Sequence, residues 1–139
     1  MDYKLYFIEA KYHLAVAERM LESYGEYPEK RFLVGVINEA ARAVSRLIRA
    51  FLMHEGVHGG LDKFLEIAPR YLDSVTCENL VKMLEVERAQ KISPVQFTKG
   101  DKIILLISGK YRILTVSRIR EFVKSIGVGI EGFPTDIKR

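Results

Sequence analysis

The stretch 31–60 constrains the fold more than any other part of this chain. Its apolar residues recur at intervals of three and four positions, and they cover well over half of a helical wheel. They are Leu33, Val36, Ile37, Ala40, Ala41, Ala43, Val44, Leu47, Ile48, Phe51 and Leu52. A helix with so wide an apolar surface needs neighbours on several sides, so the stretch predicts the central helix of a bundle. We expect this helix to end near Glu55, because Gly56, Gly59 and Gly60 follow.

The sequence on either side predicts further helices. Residues 2–24 place apolar side chains in three-four alternation, which predicts a first helix, and the short link after it makes that helix antiparallel to the central one. A shorter helix is predicted over 61–71, with an interruption near its proline. Another is predicted over 77–92, with Thr76 as its N-cap.

The pattern changes in the last third of the chain. The segment 102–115 has two β-branched runs around a serine-glycine turn signal, which favours a small hairpin, although a short buried helix is an alternative. Thr115 or Ser117 could cap a last helix, and a glycine-punctuated tail follows. We therefore predict a single helical-bundle domain over 1–126 and a loosely held tail over 127–139.

Composition limits the class of protein. A length of 139 residues with 48% hydrophobic content suits one core, and a formal charge of +4 favours anionic partners without requiring them. The single cysteine, Cys77, excludes an internal disulfide. Because no run is long and apolar enough for a signal peptide or a membrane span, we expect a cytoplasmic protein with no membrane partner. The scarcity of Asn and Gln beside plentiful Lys, Arg, Glu and Ile is typical of hyperthermophile proteins.

The pattern His54-Glu55-Gly56-Val57-His58 matches the H-E-x-x-H signature of zinc hydrolases, in which two histidines one helical turn apart bind the metal. Glu78 follows at a spacing that would suit a third ligand. However, the glycines break the helical turn that the two histidines need, and no strand is predicted before them. We keep zinc bound by His54, His58 and Glu78 as an alternative, and the preferred prediction is no metal and no cofactor.

One narrow polar face remains on the central helix, and we call it the arginine face. It consists of Asn38, Arg42, Ser45, Arg46 and Arg49. Guanidinium groups bind phosphates and carboxylates in a fork geometry, so this face is a candidate binding site for anions. A solvated helix surface is the alternative interpretation. For a second basic cluster we expect no exposed aromatic side chains among the cations, so the sequence predicts ordinary surface there. It consists of Lys110, Arg112, Arg118, Arg120 and Lys124.

Four residues separate Arg49 from His54. Arg49 lies in the run NEAARAVSRLIRAFL, and a turn that contains glycine and histidine follows this run. With the order of helices, this resembles a HEPN domain over roughly the first ninety residues. The resemblance implies an antiparallel bundle that forms a homodimer. It also implies RNA, a nucleotide or a nucleotidyltransferase as partner and, in catalytic members, a metal-independent RNase with an Arg-x4-6-His pair.

This chain departs from that pattern in two ways. Ala50 follows Arg49 where a polar residue is usual, and the pair lies at the end of the second helix instead of in a later one. On a regular helix the side chains of Arg49 and His54 would point about 140° apart. We therefore predict a mainly α, HEPN-like, non-catalytic module that binds RNA, a nucleotide or a protein partner through the arginine face. The alternatives are an RNase using Arg49 and His54, and the zinc hydrolase.

Overall fold

The computed structural model describes residues 2–93 and 96–134, which form five α-helices and one antiparallel sheet. The helices are α1 (Tyr3–Glu26), α2 (Lys30–His54), α3 (Leu61–Ile67), α4 (Ser74–Ile92) and α5 (Val116–Glu131), and the strands are β1 (Gln96–Lys99), β2 (Lys102–Ile107) and β3 (Lys110–Thr115). The prediction of a mainly α protein with a small C-terminal β element is confirmed at this level. No helix in the described part of the chain is long and apolar enough to cross a membrane.

Helices α1 and α2 form a long antiparallel pair. Tyr3 contacts His54 at one end of the pair, whereas His13 contacts Glu39 near its middle, so residue numbers rise along α1 as they fall along α2. The short connection after Glu26 and the matching lengths of the two helices impose this arrangement.

Helix α2 is the centre of the core, as the width of its apolar surface predicts. Its apolar positions from Leu33 to Leu52 are buried, and α1, α3, α4 and α5 pack around it. The helix ends at His54, and Gly56 follows with a φ of 66°, a left-handed conformation that glycine adopts without strain. The predicted end of this helix inside the H-E-x-x-H segment is therefore confirmed.

The segment after α2 is compact. Helix α3 continues into a single 3-10 turn, Ala68–Arg70, which contains the proline where the interruption was predicted. The prediction of Thr76 as the N-cap of the next helix was wrong. Asp73 caps α4 instead, and its carboxylate accepts a 2.7 Å hydrogen bond from the Thr76 amide. An aspartate three residues before the amide that it binds performs this role as well as a threonine does.

The C-terminal part contains a sheet in the order β1-β2-β3. Strands β2 and β3 form the predicted hairpin, and β1 adds a strand that the sequence did not predict. Ile103 and Leu105 are buried on the inner face of this sheet, towards the core of the helices. Tyr24 donates a hydrogen bond of 2.9 Å to the carbonyl of Gly100, which fixes the β1–β2 turn to the end of α1.

Helix α5 begins immediately after β3, and the side chain of Thr115 caps it by accepting from the Arg118 amide. The helix does not end at residue 126 but runs to Glu131, through two glycines that were assigned to a loosely held tail. Phe133 beyond it is buried against the ends of α1 and α2. The predicted tail is thus helical or buried up to Phe133, and its last residues, 135–139, lie outside the described residues.

Candidate anion-binding surface

The arginine face lies along the seam between α1 and α2, where side chains of α1 meet it. The Arg49 guanidinium lies 5.8 Å from the centre of the Tyr6 ring, within the range of a cation–π interaction. Arg46 donates a long hydrogen bond of 3.4 Å to Glu9. Among residues 2–93 and 96–134, Arg49 has no ion-pair partner, so it is the cation of this face that is most available to an external anion.

The part of the arginine face around Arg42 contains a half-buried pair between the two helices. His13 Nδ1 lies 2.6 Å from one oxygen of Glu39, and Arg42 donates to the other oxygen at 3.1 Å. Because the Arg42 side chain is exposed, its pair with Glu39 contributes at most about 1 kcal/mol and can be exchanged for a stronger phosphate contact.

A surface depression of about 330 Å³ lies over the part of the arginine face around Arg46 and Arg49. It is lined by Tyr6, Glu9, Ser45, Arg46 and Arg49. Its size suits a phosphate group with part of a sugar or base, and it combines two hydroxyls and two guanidinium groups with one carboxylate. Asn38 lies outside this depression: it is half-buried, and its Oδ1 atom is buried without a hydrogen-bond partner in the described structure.

The end of α2 carries a polar cluster that the sequence did not predict. One oxygen of Glu55 lies 2.8 Å from His54 Nδ1, and the other accepts from Tyr71 at 3.0 Å and from Arg70 at 3.2 Å. These contacts, His54 foremost, hold the pKa of Glu55 below its ordinary value, and the bond to Glu55 raises the pKa of Tyr71. The cluster fixes the chain at the point where it leaves α2.

The imidazole of His54 also packs against two aromatic rings that contact each other. Its centroid lies 5.1 Å from that of Tyr3 and 5.6 Å from that of Phe133, in edge-to-face arrangements. Arg49, by contrast, contacts Tyr6 one helical turn along α1. The two residues of the predicted catalytic pair therefore have different neighbours.

His58 lies closer to the arginine face than the sequence suggested. Arg49 and His58 both line a second depression of about 230 Å³, beside Gly56 and Gly59. The glycine-containing turn after α2 brings this exposed histidine back beside the helix. Sequence spacing concealed this pairing, because it depends on the direction of the turn.

The zinc alternative has no support in the geometry. No group of three or more metal-binding side chains occurs in residues 2–93 and 96–134. Glu78 lies on α4, beside Cys77 in a separate groove, whereas His54 is bound to Glu55 and His58 lies in the turn. The helix break at Gly56 keeps the two histidines from stacking one helical turn apart, as the H-E-x-x-H zinc site requires.

Sequence reasoning also missed the contributions of α1 to the candidate site, namely Tyr6, Glu9 and His13. They lie on one stripe at intervals of three and four residues, which is a visible signal. The pattern could not show which stripe of α1 would meet the arginine face, because that depends on the angle at which the two helices pack.

Comparison with known proteins adds no further constraint, because no family model, curated protein or solved structure gives a significant match to this chain. The resemblance to a HEPN domain therefore stays a prediction based on the pattern of its first ninety or so residues.

Proposed function

We propose that the chain is a HEPN-like, non-catalytic binding module whose arginine face binds the phosphate groups of RNA or of a nucleotide. The observation that carries this proposal is the position of Arg49, exposed at the border of two depressions and without an ion-pair partner in the described structure. Arg46 and Ser45 extend the site, and the Tyr6 ring provides a surface beside it. A phosphate here would exchange weak surface pairs for charge-assisted hydrogen bonds.

The proposal that the module does not cleave RNA rests on His54. Its Nδ1 atom is engaged by Glu55, its ring packs edge-to-face against Tyr3 and Phe133, and Arg49 contacts a different ring. A general base must lie within hydrogen-bond reach of the group that it deprotonates, and this packing favours a structural role for His54.

Homodimer formation is part of the proposal and is supported by the exposed side of α1. Leu5, Ile8 and Tyr12 are exposed there at intervals of three and four residues. Such an apolar stripe on a long helix suits self-association. We expect Ile8→Glu to convert a dimer to a monomer in sedimentation velocity, whereas Val75→Glu, an exposed valine on α4, should leave the dimer intact. A wild-type chain that sediments as a monomer at all concentrations would reject this part.

The binding proposal is tested with a single-stranded RNA oligonucleotide and a triple variant, R42A/R46A/R49A. If each arginine contacts one phosphate, affinity should fall, and the salt dependence should weaken: the slope of log K against log salt should become less negative by about 2. The control triple variant R88A/R120A/K124A removes the same charge from exposed positions on α4 and α5. Equal losses in the two variants would show that net charge alone attracts RNA, and would contradict a specific site.

The same preparations separate binding from turnover. We expect no cleavage of the oligonucleotide during a long incubation with the wild-type chain in the presence of EDTA. Cleavage by the wild-type chain that is lost in Arg49→Ala and also in one of the single variants His54→Ala and His58→Ala would instead establish the RNase alternative. The histidine whose replacement abolishes cleavage would be the one that acts.

A further inference from the structure

The outer face of the sheet is an exposed apolar surface with a basic rim. Residues that pair across the strands point to the same side, so the register defines this face. It consists of Phe97, Lys99, Lys102, Ile104, Leu106, Tyr111, Ile113 and Thr115. The opposite face carries the buried Ile103 and Leu105, which shows that only the inner side of the sheet faces the core.

The apolar positions of this outer face adjoin one another. Phe97, Ile104 and Ile113 form one row across all three strands, and Leu106 with Tyr111 forms the next row. Phe97, Tyr111 and Ile113 are exposed to solvent, although aromatic and β-branched side chains are normally covered. The expectation that the second basic cluster contains no exposed aromatic residue was therefore wrong, because Tyr111 lies within it. Two rings thus lie on one flat surface, about 10 Å apart across the strand direction.

The charges around these rings have one sign. Lys99 and Lys102 face each other across β1 and β2, next to the row that contains Phe97. No position of the outer face of the described strands is acidic, and Asp101 in the β1–β2 turn is the acidic residue nearest to it in sequence. These two lysines have no ion-pair partner among residues 2–93 and 96–134, so their charge is available to an anionic ligand.

We propose that this outer face binds single-stranded nucleic acid, with bases stacked on Phe97 and Tyr111 and phosphates held by Lys99 and Lys102. Exposed aromatic rings on a flat sheet with flexible cations at its edge match the needs of a single strand, whose bases are free to stack. A base-paired duplex hides the faces of its bases and does not fit this surface. The site is separate from the arginine face, which lies on the seam of α1 and α2.

Two features favour a nucleic acid over a protein strand added to the edge of β3. Arg112 lies on the inner face of that edge strand, and an inward-pointing charge discourages pairing with another strand. The rings also lie on the flat of the sheet instead of along its edge. The combination of stacking surface and cationic rim therefore has its best match in a polyanion with aromatic bases.

The absence of tryptophan from this chain gives a direct optical test. Tyr111→Trp places a single fluorophore on the outer face, and titration with single-stranded U15 or dT15 should quench its emission by stacking. Val75→Trp is the matched control, because Val75 and Tyr111 are 63% and 64% exposed but lie on different elements. Unchanged emission from the Tyr111→Trp variant at saturating oligonucleotide would overturn the proposal.

Affinity measurements locate the site independently. By fluorescence anisotropy, Phe97→Ala and Tyr111→Ala should each weaken binding of the labelled strand by about fivefold to a hundredfold, and Val75→Ala on α4 should have little effect. A duplex of the same length should bind at least tenfold more weakly than the single strand. Equal affinity for the duplex, or full affinity in the double variant F97A/Y111A, would overturn the proposal, as would binding of anionic phospholipid vesicles in preference to the oligonucleotides.

The failure of this proposal can be distinguished from failure of the proposed function. The losses caused by F97A/Y111A should be the same in the wild-type background and in R42A/R46A/R49A, because the two surfaces share no residue. If only the arginine variants reduce binding, the sheet proposal fails and the arginine face stands. If only the sheet variants do so, the sheet is the binding site and the proposed function of the arginine face fails.

Discussion

The two glycines inside α5 predict opposite responses to alanine, which makes them a sensitive test of how this helix packs. A Cβ atom at residue 127 would lie 3.9 Å from Leu14 Cδ2, an ordinary contact. At residue 129 it would lie 2.9 Å from Leu47 Cδ2, and Leu47 is fully buried and has little room to move. The same methyl group is therefore tolerated at one position and overpacked at the other.

The magnitudes follow from two competing terms. Replacing glycine by alanine within a helix stabilises it by about 1 kcal/mol, and Gly127→Ala should keep most of that gain. Overpacking a tight core costs about 1–3 kcal/mol, so Gly129→Ala should lose stability, by up to about 2 kcal/mol. For a chain of this size each kcal/mol moves Tm by about 3–5 °C.

Urea unfolding followed by circular dichroism, with thermal scans in parallel, measures both changes. The slope of free energy against urea should be unchanged in each variant, so the midpoints report stability directly. If both variants are stabilised, α5 does not pack against Leu47 as described. If both are destabilised, residue 127 does not lie on an open helical surface.

Three further predictions concern interior contacts. Phe133→Ala should cost about 3–5 kcal/mol in urea unfolding, because a fully buried ring is lost, and a cost below about 1 kcal/mol would contradict its burial. Ser125→Ala should cost about 1–3 kcal/mol by leaving the buried Asn79 amide without its 2.9 Å acceptor, and adding Asn79→Leu should restore part of the loss; no restoration would contradict that account. Glu55→Gln should lower stability by about 1–2 kcal/mol near pH 7. Since folding lowers the Glu55 pKa, its contribution is complete near neutral pH and is lost as pH falls through the lowered pKa, so a difference between wild type and variant that persists at pH 2 would refute the assignment.

The helices were predictable because their signals are local and repeated. The apolar stripe of α2 continues over many turns, and Gly56 marks its end with a conformation that other residues adopt at a cost. The hairpin was predictable from its turn. Strand β1 was not, because four residues are too few for a period, and its place depends on tertiary contacts such as the hydrogen bond that Gln96 donates to the carbonyl of Gln90.

The errors at α5 and at α4 both arose because the geometry of the folded chain decided between outcomes that residue preferences alone left open. Glycines such as Gly129 were interpreted as helix breakers, but here close packing against Leu47 favours the smallest residue in the helix and outweighs its low propensity. Asp73 and Thr76 were both acceptable caps, and geometry selected the former.

The candidate sites show the same division. The composition of the arginine face was evident from one helix, whereas Tyr6 and Glu9 required the packing of two helices. The outer face of the sheet was harder to find, since Phe97 and Tyr111 lie on different strands and come together only through the register.

The position of Phe133 affects the order in which parts of this protein can fold during synthesis. It fills the space between Phe7 at the start of α1 and Phe51 near the end of α2, with ring centroids 4.8 Å from each. During synthesis the first two helices leave the ribosome long before this ring does, so their shared aromatic junction stays unfinished until residue 133 has emerged. A nascent chain halted before that residue should expose this junction to chaperones, even though its helical hairpin is already complete.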